Sequence, residues 1–169
     1  WFRYEEPPVR PTTADLHMSW DVPYEPGVLR AVGLRDGEVV AETEVRTAGA
    51  PAALRLSVDR SAIRAGERDV AHVTMAVVDA AGTVVPDADP RIAVAVEGPA
   101  RLLAVGNGDP ADHTRYGLPY RNTHHGLALA LVQSTDETGA VTVTATAEGL
   151  DPVSIRLTAI PGDPAPRLP

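Results

Sequence analysis

The sequence contains no cysteine and no lysine; all fifteen basic residues among its 169 are arginine. Without cysteine there are no disulfides, no thiolate nucleophile and no cysteine-based metal site. The missing lysine reads as the coding bias of a GC-rich genome rather than as a site. Aromatic residues make up only 4%, so a core must be built from Val, Leu, Ile and Ala, which pack well on pleated sheets. No apolar run approaches the ~20 residues of a membrane span, and no secretory leader is visible. The first residue is Trp1 rather than Met. That is expected of a piece cut from something longer, so the missing leader says nothing of secretion. A net charge of −8 and a pI near 5.0 weigh against nucleic acid, whose phosphates need clustered cations.

What is present alternates with period two. Hydrophobic residues are 44% of the chain, which argues against wholesale disorder. The opening WFRYEEPPVRPTT carries three prolines, and residues 5–13 are expected to be irregular. Three candidate strands follow at residues 15–20, 28–35 and 38–46, the last two joined by Asp36-Gly37, a strong hairpin signal. Residues 47–53 form a small-residue joint. Beyond it Leu54, Leu56 and Val58 alternate with polar residues, as do Ala71, Val73, Met75 and Val77 after a turn-rich connection at 60–69. Further strands are expected at 83–85, around Ile92, Val94 and Val96, at 102–105, around Leu127, Leu129 and Leu131, around Val141 and Val143, and around Val153, Ile155 and Leu157. No helical periodicity competes with this pattern. Seven or eight short strands with regular turns predict an all-β, immunoglobulin-like β-sandwich over residues 51–160. Residues 1–50 have too few strands for a sandwich of their own: either they dock on the second domain or, as expected, their missing strands lie upstream of Trp1, which makes them the C-terminal part of a truncated immunoglobulin-like domain. Residues 161–169, PGDPAPRLP, are expected to be a disordered tail.

One stretch stands apart. From Gly106 to Gly126 the chain reads GNGDPADHTRYGLPYRNTHHG, twenty-one residues without periodicity. Loops of that length in compact domains are usually functional or interfacial. Asp109, Asp112 and His113 are metal-ligand types, yet the acidic spacing and terminal Glu of a calcium loop are missing. Asn-Gly and Asp-Pro are plain turn formers, so no metal is expected. Acid–base types are also present in His113, His124 and His125 with Asp109 or Asp112. The hydroxyls of Thr114, Thr123 and Ser134 are nucleophile candidates by presence alone, and no glycine-flanked nucleophile elbow surrounds them. If extended, His124 and His125 point to opposite faces and cannot serve one site. No catalytic residue and no cofactor is therefore assigned. A contact surface suits the composition better: Asn107, Asp109, His113, Tyr116, Tyr120 and Arg121 combine ring faces for stacking with groups that bond hydroxyls. Three readings of the loop stay open: packing against another domain, contribution to a substrate cleft, or a free loop. Trp20 reads as core rather than as an exposed sugar platform with Tyr24; His17 and His72, and the acidic pairs Glu5-Glu6 and Asp136-Glu137, read as solvated.

Residues 20–56, WDVPYEPGVLRAVGLRDGEVVAETEVRTAGAPAALRL, resemble the end of an immunoglobulin-like domain that follows the catalytic barrel in bacterial β-galactosidases of glycoside hydrolase family 2. The following motifs, LSVDRSAIRAGERDVAHVTMAVVDAAGTVVPDAD, VEGPARLLAVGNGDP and GLALALVQSTDETGAVTVTATAEGL, resemble the C-terminal domain of the same enzymes, a relative of adhesin modules. The resemblance spans residues 14–159 with both motif sets in the family order. It implies an accessory region of a larger enzyme, whose partners are the catalytic barrel and preceding immunoglobulin-like domain of the same polypeptide. A galactoside at a cleft edge is a further possible partner; the resemblance leaves oligomeric state open. The chain has neither the length nor the alternation of strand and helix of a (β/α)8 barrel. An adhesin-type spacer and a stand-alone carbohydrate-binding module are the alternatives from other classes.

Overall fold

The computed structural model describes residues 21–163, and the chain divides into two compact units, Trp1–Thr47 and Ala48–Pro169. The expected strand at 15–20 and Trp20 fall outside the described residues. In the first unit, β1 (Val28–Arg35) pairs antiparallel with β2 (Glu38–Arg46). Their turn has Asp36 at φ 53° and Gly37 at φ 85°, the two positive values of a turn whose twist matches the strands it joins. The register slips between Gly33 and Leu34. On one face Leu29, Ala31 and Gly33 oppose Val45, Thr43 and Ala41; on the other Arg30 opposes Glu44 and pairs with the side chain of Glu42.

Among the described residues, the second unit is an immunoglobulin-like sandwich of nine strands. In order these are β3 (Ala53–Val58), β4 (Ala62–Arg64), β5 (Val70–Val78), β6 (Arg91–Glu97), β7 (Ala100–Gly106), β8 (Tyr120–Asn122), β9 (Leu127–Ser134), β10 (Gly139–Ala147) and β11 (Leu150–Ile160). One sheet runs β3-β5-β9-β7 and the other β4-β11-β10-β6-β8. Every pairing is antiparallel except β4 with β11. Among the described residues there is no helix.

Alternation decides what meets between the sheets. Val73, Met75 and Val77 of β5 face Ile92 and Val94 of β6, Val141 and Val143 of β10 and Leu157 of β11 in one buried cluster. In β9 the structure reverses the weight of the sequence pattern. Ala128, Ala130 and Val132 are buried, whereas Leu127, Leu129 and Leu131 lie on the outer face. Small residues belong inside here because the facing valines and isoleucines already fill the space between sheets.

Three expectations shift. The turn-rich 60–69 connection contains β4, and the 106–126 loop contains β8, which pairs with β6. Residues 83–85 contribute only an isolated bridge, Val78 with Val84. At the entrance of the second unit, Asp79 accepts hydrogen bonds from the backbone N–H groups of Gly49 (2.8 Å), Ala81 (2.9 Å) and Thr83 (2.8 Å). The first of these is the leading cause that holds its carboxyl below the usual range. At the other end, Asp163 N–H donates to Glu67 Oε1 at 3.0 Å. Residues 164–169 of the expected tail lie outside the described residues.

Candidate functional surface

β8 places the long segment. Its alternation sends Arg121 inward opposite Ile92, while Tyr120 and Asn122 oppose the exposed Ala93 and Arg91. The six residues expected to form one contact set therefore separate. Tyr120 stands on the outside of its sheet with the Arg91 guanidinium 4.8 Å from its ring. Arg121 is 1% exposed, which corrects its reading as a contact residue: its donors are spent within the fold.

A fully buried guanidinium is tolerated only where paired and hydrogen-bonded, and this one is. Arg121 Nε donates to Asp112 Oδ2 at 2.9 Å, one terminal nitrogen to the Val105 carbonyl at 3.1 Å, and the other to the Asp112 carbonyl at 3.2 Å. Asp112 also accepts from the Thr114 N–H at 2.8 Å and from Asn107 Nδ2 at 2.9 Å. The Thr114 hydroxyl and N–H, then Arg121, hold the Asp112 carboxyl down to about 2. Asp112 was weighed above only as a metal ligand or acid; the structure makes it the hub of the loop.

The remaining residues hang on that hub. Asn107 donates to the Asn122 carbonyl as well, and its Oδ1 accepts the Asp109 N–H at 3.0 Å. Asp109 in turn accepts the Ala111 N–H at 2.8 Å. The Tyr116 ring stacks over Arg121 at 4.5 Å and is still 62% exposed, while its carbonyl accepts from Val105 N–H. His113 is exposed.

The chemistry weighed for catalysis does not assemble. The buried hydroxyls of Thr123 and Ser134 donate to the Ala88 and Arg64 carbonyls, both at 2.8 Å, and that of Thr114 is taken by Asp112. His124 and His125 are not extended: they occupy a tight turn with His125 at φ 52°, so their rings lie 4.1 Å apart instead of on opposite faces. Among the described residues no three His, Asp or Glu side chains are placed to hold a metal ion. A shallow hollow of about 440 Å³, rimmed by Asp87, Asp89 and Glu148, involves none of the six expected residues. His72 is exposed, 3.2 Å from Asp59.

Comparison with known proteins places the fold. Residues 54–156 match the family model described as glycoside hydrolase family 2 C-terminal domain 5, and residues 6–41 match a domain of unknown function (DUF4982). The chain is 37% identical over 145 residues to the β-galactosidase BoGH2A of Bacteroides ovatus, covering 86% of this chain and 17% of that protein. It is 30% identical over 145 residues to a β-glucuronidase of Formosa agariphila, covering 85% of this chain and 15% of that protein. A crystal structure of a glycosyl hydrolase family 2 member from Bacteroides cellulosilyticus superposes with a TM-score of 0.79 at 33% identity, over 83% of this chain and 18% of that one. The chain thus spans less than a fifth of each of these relatives.

Proposed function

Because the chain belongs to glycoside hydrolase family 2, through the C-terminal domain matched at residues 54–156, we propose that it serves as a non-catalytic accessory region of a larger glycosidase. In this reading it buttresses the catalytic barrel of the same polypeptide and presents the 107–119 segment to a neighbouring domain or to the edge of the substrate cleft. Residues 1–50 are then the closing strands of a preceding immunoglobulin-like domain. β-Galactosidase is the activity we propose for the parent, after the relative at 37% identity.

One observation carries the contact role. Tyr116 is 62% exposed on a segment whose polar groups are bonded to one another, so its outer ring face is free to be covered without rearranging the loop. Leu103 and Leu127 are also exposed, and burial of apolar surface of this kind drives domain packing at about 25 cal/mol per Å² before association costs. Tyr120, Asp109 and His113 flank it in sequence.

The polypeptide that carries this sequence in its source should migrate several-fold above 17.8 kDa and co-purify with glycosidase activity. A product near 17.8 kDa without activity would overturn the reading. The exposed Tyr116 ring also favours a second reading, in which the segment meets sugar directly. That reading expects a saturable tyrosine resonance shift when the chain is titrated with galactosides, lost in Tyr116→Ala; a flat titration removes it.

A further inference from the structure

We infer that Asp112 and Arg121 form an internal lock that fixes the 107–119 segment in one conformation before any partner meets it. Three observations carry this. First, Arg121 lies on β8, the edge of the five-stranded sheet, and donates to the Val105 carbonyl on β7, the edge of the four-stranded sheet. One buried side chain therefore ties the two sheets together at the base of the segment. Second, the same guanidinium holds the middle of the segment through both the carboxylate and the carbonyl of Asp112. Third, Asp112 passes that hold to Asn107 and Thr114, and the Tyr116 ring closes over Arg121.

The residue types argue for a lock rather than a filler. A buried ion pair is a poor way to stabilise a core, since apolar side chains of similar volume commonly do as well or better. Ile92, opposite Arg121 and fully buried, shows that this position borders an apolar core. An isoleucine or methionine at 121 would fill the same space without gripping Asp112. What arginine adds is a planar fork that engages the sandwich and the loop at once. A segment ordered in advance avoids the conformational entropy that a free loop loses on docking. The purpose of the lock rests on the contact role proposed above; the lock itself rests only on the geometry.

The test is limited trypsin digestion of the full chain at Arg115, which is exposed in the middle of the segment. Cleavage after Arg115 is expected to accelerate at least tenfold in Asp112→Asn and Arg121→Met, with cleavage after Arg35 in the exposed hairpin unchanged. Arg121→Lys, which keeps the charge and loses the fork, should fall between. Wild-type cleavage at Arg115 as fast as at Arg35, or no acceleration in the variants, overturns the lock. Amide exchange of the unmodified chain gives a second reading that survives a variant failing to fold. The N–H groups of Asp109, Ala111 and Thr114 should exchange at least tenfold more slowly than in an unstructured peptide, and free exchange overturns the proposal. If the variants open the segment yet leave the activity of the parent enzyme unchanged, the lock stands and the contact role fails.

Discussion

At the scale of single residues, two glycines show how backbone conformation and packing combine. Gly108 has φ +78° and open space where a Cβ would stand; Gly126 has φ +73°, and a Cβ there would lie 2.3 Å from the Val85 carbonyl oxygen. Gly108→Ala should cost only the left-handed strain, about 1–2 kcal/mol. Gly126→Ala adds overpacking against backbone that pairs with β5, a further ~1–3 kcal/mol. Urea midpoints of the two variants check this ordering, and equal midpoints would refute it. Asp112 supplies the pH prediction. Its carboxyl is lowered in the fold from 3.8 to about 2, so its contribution is complete above the unfolded value and is lost as pH falls through the folded one. The protection of Thr114 N–H against exchange should therefore hold at pH 5 and decline only below about 4, towards 2. Loss of protection between pH 7 and 5 would point to a histidine instead.

At the scale of elements, β9 is where pattern and fold part company. LALALV offers two apolar faces, and the structure gives the core to Ala128 and Ala130, with Ala130 fully buried, and leaves Leu127 39% exposed. Ala130→Leu should then destabilise by about 1–3 kcal/mol through overpacking. Leu127→Ala should cost less than the ~2–5 kcal/mol of a buried leucine. The opposite order in chemical denaturation would mean that β9 is turned over. The sequence showed β1 and β2 to the residue because Asp36-Gly37 pins a hairpin and its register. It could not show β4 and β8, each three residues long. A strand that short has no period to read, and its identity comes from partners distant in sequence, β11 for one and β6 for the other. The candidate surface was legible to the same extent. Its location and its composition stood out, but the split between Tyr120 and Arg121 is a consequence of β8 and had no local signal. Asp112 was hidden for a related reason: a carboxylate in a turn-rich run looks solvated until the buried cation opposite it is known.

At the scale of the whole molecule, the second unit carries its own core, one cluster of buried residues that includes Leu54 on β3 and Ala159 on β11. Residues 48–169 produced alone should accordingly unfold in one cooperative transition, as single domains of this size do. What this unit is built for follows from where its chemistry goes. Hydrolysis of a glycoside with retention needs two carboxyl groups about 5 Å apart on a rigid scaffold, one of them free to act as nucleophile. Among the described residues, Asp112 is tied to Arg121 and Thr114, and Asp79 is taken up by backbone N–H groups. The hydroxyls of Thr123 and Ser134 are bonded to carbonyls inside the fold. The chain alone should therefore release no detectable product from a chromogenic galactoside or glucuronide at concentrations where a family member of full length turns over. A rate that saturates with substrate, and that a substitution within this chain abolishes, would mean that a carboxylate pair works here unassisted, and the accessory role would fall with it.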